Sequence, residues 1–136
     1  MLRTIIIDDE PHIRDTLAKL LARHCPQVIV AGVASGVAEG ISAILNIRPD
    51  LVFLDINMKD GSGFDLLHSL NGIDFRIIFI SACDRQMMQA FDLSGMECLS
   101  KPFDPVRLAD AVRKAEETEL EDQALQLKAL DANIKW

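Results

Sequence analysis

Five short apolar runs punctuate the chain, and each ends abruptly in a polar or charged group. Thr4-Ile5-Ile6-Ile7 stops at Asp8-Asp9-Glu10-Pro11, and Val28-Ile29-Val30-Ala31-Gly32-Val33 gives way to Ser35-Gly36. Leu51-Val52-Phe53-Leu54 ends in Asp55, and Arg76-Ile77-Ile78-Phe79-Ile80 ends at Ser81-Ala82. A weaker run, Met96-Glu97-Cys98-Leu99-Ser100, is followed by Lys101-Pro102-Phe103. Short apolar stretches of this kind, rich in β-branched residues and bounded by turn signals, predict strands buried on both faces.

Between these runs the apolar period changes to that of a helix. Ile13, Leu17, Leu20 and Leu21 mark a helix that starts at Pro11, capped by the acidic residue before it, and stops at Cys25-Pro26. Val37, Ile41, Ile44 and Leu45 form the apolar face of a second, closed by Arg48-Pro49-Asp50. Asp60-Gly61 and Gly63 mark a loop, then Phe64 to Leu70 reads as a short helix and Asn71-Gly72 as a turn. Gln86 to Leu93 predicts a fourth helix, and Asp104-Pro105 opens a fifth by the same capping logic as Pro11. Strands alternating with helices predict an α/β fold, doubly wound around a five-stranded parallel sheet covered on both sides. From Ala115 to Trp136 there is no Gly or Pro, and Leu120, Leu127 and Ile134 recur at sevens with Ala124 and Leu130 between them. This predicts that the fifth helix runs on or that a second helix follows, with an apolar seam able to pair with a partner. The expected division is a domain over residues 1–117 and a helical extension or linker to an output domain over 118–136.

Composition narrows the class. A net charge of −7 with scattered basic residues argues against nucleic-acid binding, which needs clustered Lys and Arg. Cys25, Cys83 and Cys98 show neither a disulfide framework nor zinc spacing, as expected in a reducing compartment. No run reaches membrane-spanning length and the N-terminus does not read as a signal peptide, so a soluble cytoplasmic protein without a membrane partner is expected.

The polar residues at the strand exits carry the chemistry. Ligands of parallel sheets bind beyond the carboxyl ends of the strands, where Asp8, Asp9, Asp55, Ser81 and Lys101 all fall. With carboxylates roughly 5 Å apart and an effective dielectric of about 20, each like-charged pair costs on the order of 3 kcal/mol. Either one takes a proton or a divalent cation joins them, and all-oxygen ligands suit Mg²⁺ or Mn²⁺ better than zinc. A cation so held invites a phosphoryl group, with Lys101 and Ser81 supplying a charge and a hydroxyl for its oxygens, and Asp55 placed to attack phosphorus. Singly, these residues have ordinary readings as helix caps, a turn aspartate or a solvated lysine. Their joint placement at four strand exits outweighs those readings.

Asp8-Asp9-Glu10, Leu54-Asp55-Ile56-Asn57-Met58, Ser81-Ala82 and Lys101-Pro102-Phe103, in that order, resemble the receiver domain of two-component response regulators over roughly residues 2 to 117. The resemblance implies a flavodoxin-like fold with strand order 2-1-3-4-5. It implies that Asp55 is phosphorylated by a histidine kinase or phosphotransfer protein. It also implies that Mg²⁺ is held by Asp9, Asp55 and the main-chain carbonyl of Asn57, with Asp8 holding a metal-bound water. Ser81 would move toward the phosphoryl group and Lys101 would pair with it. Receiver domains commonly have a cis peptide before the proline matching Pro102. The binding face that responds would comprise the fourth helix, fifth strand and fifth helix, and is a candidate homodimer contact. Ala90-Phe91 and Leu99-Ser100-Lys101-Pro102-Phe103-Asp104 are similar to receivers that carry a LytTR-type DNA-binding domain.

Two departures stand out. Cys98 occupies the place where such regulators usually have an aromatic residue, and Lys59 the place of a proline, which is expected to alter loop stiffness. In the family, the positions of Asn57 and Cys83 tune acyl-phosphate lifetime. Two other function classes use similar residues. A metal-dependent aspartyl phosphohydrolase typically has an aspartate where Asn57 stands, and an interaction module that keeps the fold alone would not need the intact Asp8, Asp9, Asp55, Ser81 and Lys101. Met87, Met88 and Met96 are expected to pack around the fourth helix, and His12, His24 and His68 to lie on the surface.

Overall fold

The computed structural model describes residues 1–82 and 84–134. The apolar runs become strands of one parallel sheet: β1 (Leu2–Ile7), β2 (Val28–Ala34), β3 (Leu51–Asp55), β6 (Arg76–Ser81) and β7 (Cys98–Ser100). The two remaining strands, β4 (Asn57–Met58) and β5 (Gly61–Ser62), form a small antiparallel hairpin directly after β3. The sheet order is β2-β1-β3-β6-β7, which is 2-1-3-4-5 when only its own strands are counted. Alternate residues feed two cores. Ile5, Ile7, Val52, Leu54, Ile77 and Phe79 face one side, and Ile6, Leu51, Phe53, Ile78 and Ile80 face the other. Both faces are apolar because helices cover both.

On the second face lie α1 (Pro11–His24), through Leu17 and Leu21, and α5 (Pro105–Glu117), through Leu108 and Val112. On the first lie α2 (Val37–Ile47), α3 (Gly63–His68) and α4 (Arg85–Ser94). Asp104 caps α5 by accepting from Val106 N–H at 3.0 Å, as its sequence predicts. Glu10 precedes α1 but makes no side-chain cap; instead the Asp8 carboxylate accepts the Glu10 N–H at 2.9 Å. Leu45, expected on the apolar face of α2, is 64% exposed, because that face is centred on Gly40 and Ile44. Met96 is buried and Met87 packs on the first core, whereas His12, His24 and His68 are exposed.

A separate helix, α6 (Leu120–Asn133), follows α5 and folds back onto the first face, against α4. Leu130 is wholly buried, Ile134 nearly so, and Leu127 packs on the same core. Three of the seam residues are therefore covered within the chain, while Leu120 is half-buried and Ala124 faces outward. Gln123, a polar residue between two seam positions, is 3% exposed and bonds to the backbone of Phe75 and Ile77.

Candidate functional site

Strand register brings the carboxylates together. Ile7 pairs with Leu54, so Asp8, the next residue of the first chain segment, emerges beside Asp55 at the end of β3. Asp55 in turn pairs with Ile80, leaving Ser81 one step further out, and Ser81 pairs with Ser100, the residue before Lys101. The peptide between Lys101 and Pro102 is cis, as in the receivers the sequence resembles.

Asp8, Asp9 and Asp55 each present an oxygen within 4.8 Å of the others. Asp8 is fully buried and Asp55 is 4% exposed. Lys101 Nζ lies 2.7 Å from Asp8 Oδ2, 3.5 Å from Asp55 Oδ2 and 3.6 Å from Glu10 Oε2. Among the described residues, Lys101 Nζ is the one partner of Asp8 Oδ2. Arg14 fixes the backbone here, donating to the Asp8 carbonyl at 2.7 Å.

Burial, and then the charge of Asp8, push the Asp55 carboxyl up to about 6, against the opposing pull of Lys101 and the Asn57 N–H. Burial alone would lower Lys101, but its hydrogen bond to Asp8 and the charges of Asp55, Asp8 and Glu10 outweigh that and raise it. Asp8, Asp9, Asp55 and Glu10 set four carboxylates against Lys101, which pairs with all but Asp9, and the Arg14 guanidinium at the Asp8 carbonyl. This leaves a surplus of negative charge in a low-dielectric rim. The surplus, the hard oxygen donors and the incompletely satisfied Asp8 Oδ2 fit a divalent cation of the Mg²⁺ class.

A family model described as the response regulator receiver domain matches residues 4–113. The chain belongs to that family. An uncharacterized response regulatory protein of Vibrio cholerae is 41% identical over 115 residues, covering 84% of this chain and 48% of the relative. The sensory transduction protein LytT of Enterococcus faecalis is 34% identical over 116 residues, covering 84% and 48%. The chain thus spans about half the length of the curated relatives it matches. Among solved structures, the PhyR response regulator REC domain of Erythrobacter litoralis is similar with a TM-score of 0.70 and 25% identity, covering 87% of this chain and 92% of that one. The response regulator domain of Thermotoga maritima CheB shares the fold, with a TM-score of 0.72 at 20% identity over 88% and 98%.

In this receiver domain Asp8, Asp9, Asp55 and Lys101 share one rim, and Ser81 ends the neighbouring strand; Cys83 lies outside the described residues. Cys98, at the position usually aromatic, is half-buried on β7 and packs on the first core. Asn57 begins the hairpin, its N–H 3.4 Å from Asp55 Oδ1. Three contacts escaped the sequence reading. Glu10 joins the Lys101 ion-pair network. The Lys59 N–H donates to Asp9 Oδ2 at 3.1 Å, a bond for which a proline has no donor. Asp60 accepts from Val37 and Ala38 N–H at 2.8 and 3.2 Å, and these bonds hold its carboxyl below the usual range. For Asp60 no local signal existed, because its partners lie more than twenty residues away.

Proposed function

We propose that this receiver domain is the phosphoacceptor switch of a two-component system, with Asp55 as the acceptor. The observation that carries the reading is the trio of aspartate oxygens within 4.8 Å of one another, with Lys101 over two of them. Asp9, Asp55 and the Asn57 carbonyl would hold Mg²⁺, with Asp8 acting through a bound water. Mg²⁺ supplies charge neutralisation for the carboxylates and for the phosphoryl oxygens that approach them.

The chain's own residues then divide the work. An Asp55 oxygen attacks phosphorus, the P–N bond of a phosphohistidine donor breaks, and the donor imidazole leaves with a proton from solvent. Asp55 reacts as the carboxylate, so the same burial that raises its pKa must be offset before it attacks. Lys101, already 3.5 Å from Asp55 Oδ2, pairs with the phosphoryl group, and the Ser81 hydroxyl donates to another of its oxygens. The donor is a histidine kinase or phosphotransfer protein. The new acyl phosphate shifts a two-state equilibrium of α4, β7 and α5. Leu93 on α4 and Val106 on α5, each 76% exposed, give that face apolar area for a partner or a second copy.

Incubation with acetyl phosphate and Mg²⁺, followed by intact mass, tests this. One phosphoryl adduct, absent without Mg²⁺ and absent in Asp55→Ala, is expected. Multiple turnover of a phosphomonoester would favour an aspartyl phosphohydrolase, and no adduct from any donor an inert interaction module.

A further inference from the structure

The hairpin that follows β3 is small, with Asn57 paired to Ser62 and Met58 to Gly61. A ladder of two pairs has little stability of its own, so the position of its tip depends on outside tethers. Two are present at Lys59 and Asp60. The Lys59 N–H is bonded to Asp9 Oδ2, and the Asp60 carboxylate takes both the Val37 and Ala38 N–H groups at the start of α2. They differ in what they spend. The Lys59 tether uses an oxygen of the aspartate trio, which a cation would draw on; the Asp60 tether uses none.

Helix α2 is built to receive it. Its N-cap is Gly36, which provides no side-chain bond, so Asp60 supplies the missing cap from across the site. A Cβ on Gly36 would stand 2.6 Å from Asp60 Oδ1, so the close approach depends on glycine there. Gly61, at φ +145°, opens β5, and a Cβ on it would come within 3.1 Å of Val37 Cγ2. The glycines on both sides of the contact admit the carboxylate.

We propose that Asp60 is a positioning residue for the cation site: clamped to the N-terminus of α2, it holds the hairpin that carries Asn57 beside Asp9 and Asp55 when cation binding competes for the Lys59 tether. This rests on the cation reading above. Asp60 itself touches neither cation nor phosphoryl group.

The test compares Asp60→Ala, Asp60→Asn and the charge control Asp74→Ala in the full chain. Asp74 is exposed and precedes β6, at the opposite end of the sheet. Mg²⁺ affinity is measured by calorimetry, and hydrogen exchange across residues 56–63 and the acetyl phosphate rate are both followed at saturating Mg²⁺. Asp60→Ala is expected to weaken Mg²⁺ binding about 10-fold, the lower end of the outer-shell range. It should speed exchange across 56–63 and leave the saturated rate within about twofold, since Asp60 acts through position and not on the reacting atoms. Asp60→Asn, which keeps one acceptor oxygen, should fall between, and Asp74→Ala should match the parent.

An Asp60→Ala affinity within about twofold of the parent, unchanged exchange in the loop, or an equal loss in Asp74→Ala overturns the proposal. If the parent chain binds no Mg²⁺, the cation reading falls and this inference with it. If the parent binds and Asp60→Ala binds equally well, this inference alone is lost.

Discussion

Gln123 Oε1 accepts the Ile77 N–H at 2.9 Å, while its Nε2 donates to the Phe75 carbonyl at 2.8 Å. Phe79, two residues further along the same edge of β6, bonds instead to the carbonyl of Glu97, the residue before β7. One side-chain amide thus continues the ladder where the short β7 has not yet begun, and ties α6 to the sheet. Gln123→Ala leaves a buried donor and a buried acceptor without partners, so a loss of about 2–4 kcal/mol is expected in urea unfolding. Gln123→Glu should lose at least as much at neutral pH, because its carboxylate would be buried with one oxygen against the Phe75 carbonyl. Equal stability of all three proteins would refute the tie.

Docking of α6 also makes a prediction about its leucines. Leu130 is fully buried and Leu125 is 66% exposed on the same helix. Leu130→Ala is expected to cost about 2–4 kcal/mol, and Leu125→Ala less than about 0.5 kcal/mol. A free-standing linker helix would show no such difference, and thermal unfolding of the two variants decides it.

Burial and Asp8 hold Asp55 at about 6 in the folded protein without metal. In the unfolded chain it titrates near the ordinary value of about 3.9. The native state therefore binds more protons between these values, and stability from this group falls as pH rises through the window. Asp55→Asn should be neutral below about pH 4 and stabilising by about 1–2 kcal/mol at pH 7, after allowance for solvent screening. Saturating Mg²⁺ should erase that advantage by stabilising the parent. Urea titrations at the two pH values, with and without Mg²⁺, measure it; a gain independent of pH would contradict the assignment.

Gly63 and Gly40 are both close to neighbours but differ in what they meet. A Cβ on Gly63 would come within 2.6 Å of the Asp55 carbonyl oxygen, which is strand backbone and cannot swing aside. A Cβ on Gly40 would meet the ends of the Leu66 and Ile7 side chains, which can. Gly63→Ala is expected to cost about 1–3 kcal/mol and to slow phosphoryl acceptance by displacing Asp55. Gly40→Ala should be nearly neutral, because about 1 kcal/mol of helix propensity offsets the repacking. Chemical unfolding and the intact-mass assay on both variants provide the comparison.

The alternation of apolar runs and helical periods was enough to place the five sheet strands and the first five helices. Each of those signals is local: a strand buried on both faces must be apolar throughout, and a helix buried on one side must repeat its apolar residues. The rim could be read for the same reason, since a carboxylate ending a buried strand in a parallel sheet has one place to emerge. Asp8, Asp9, Asp55, Ser81 and Lys101 thus announced themselves as a set.

Spacing does not say what a face packs against. Leu127, Leu130 and Ile134 advertised a seam, but a partner helix and the chain's own α3–α4 side would select the same residues. Leu45 fits the helical period yet lies outside, because Gly40 and Ile44 centre the contact. Gln123 and Asp60 were illegible for a further reason. Each satisfies backbone groups in an element remote in sequence, and hydrogen bonds of that kind leave no period behind them. The sequence by itself determined which residues are strands, which are helices, and which polar groups crowd the sheet's rim. Only the tertiary structure decided where the last helix docks and which carboxylate caps which helix, because those choices depend on surfaces that exist only once the sheet has assembled.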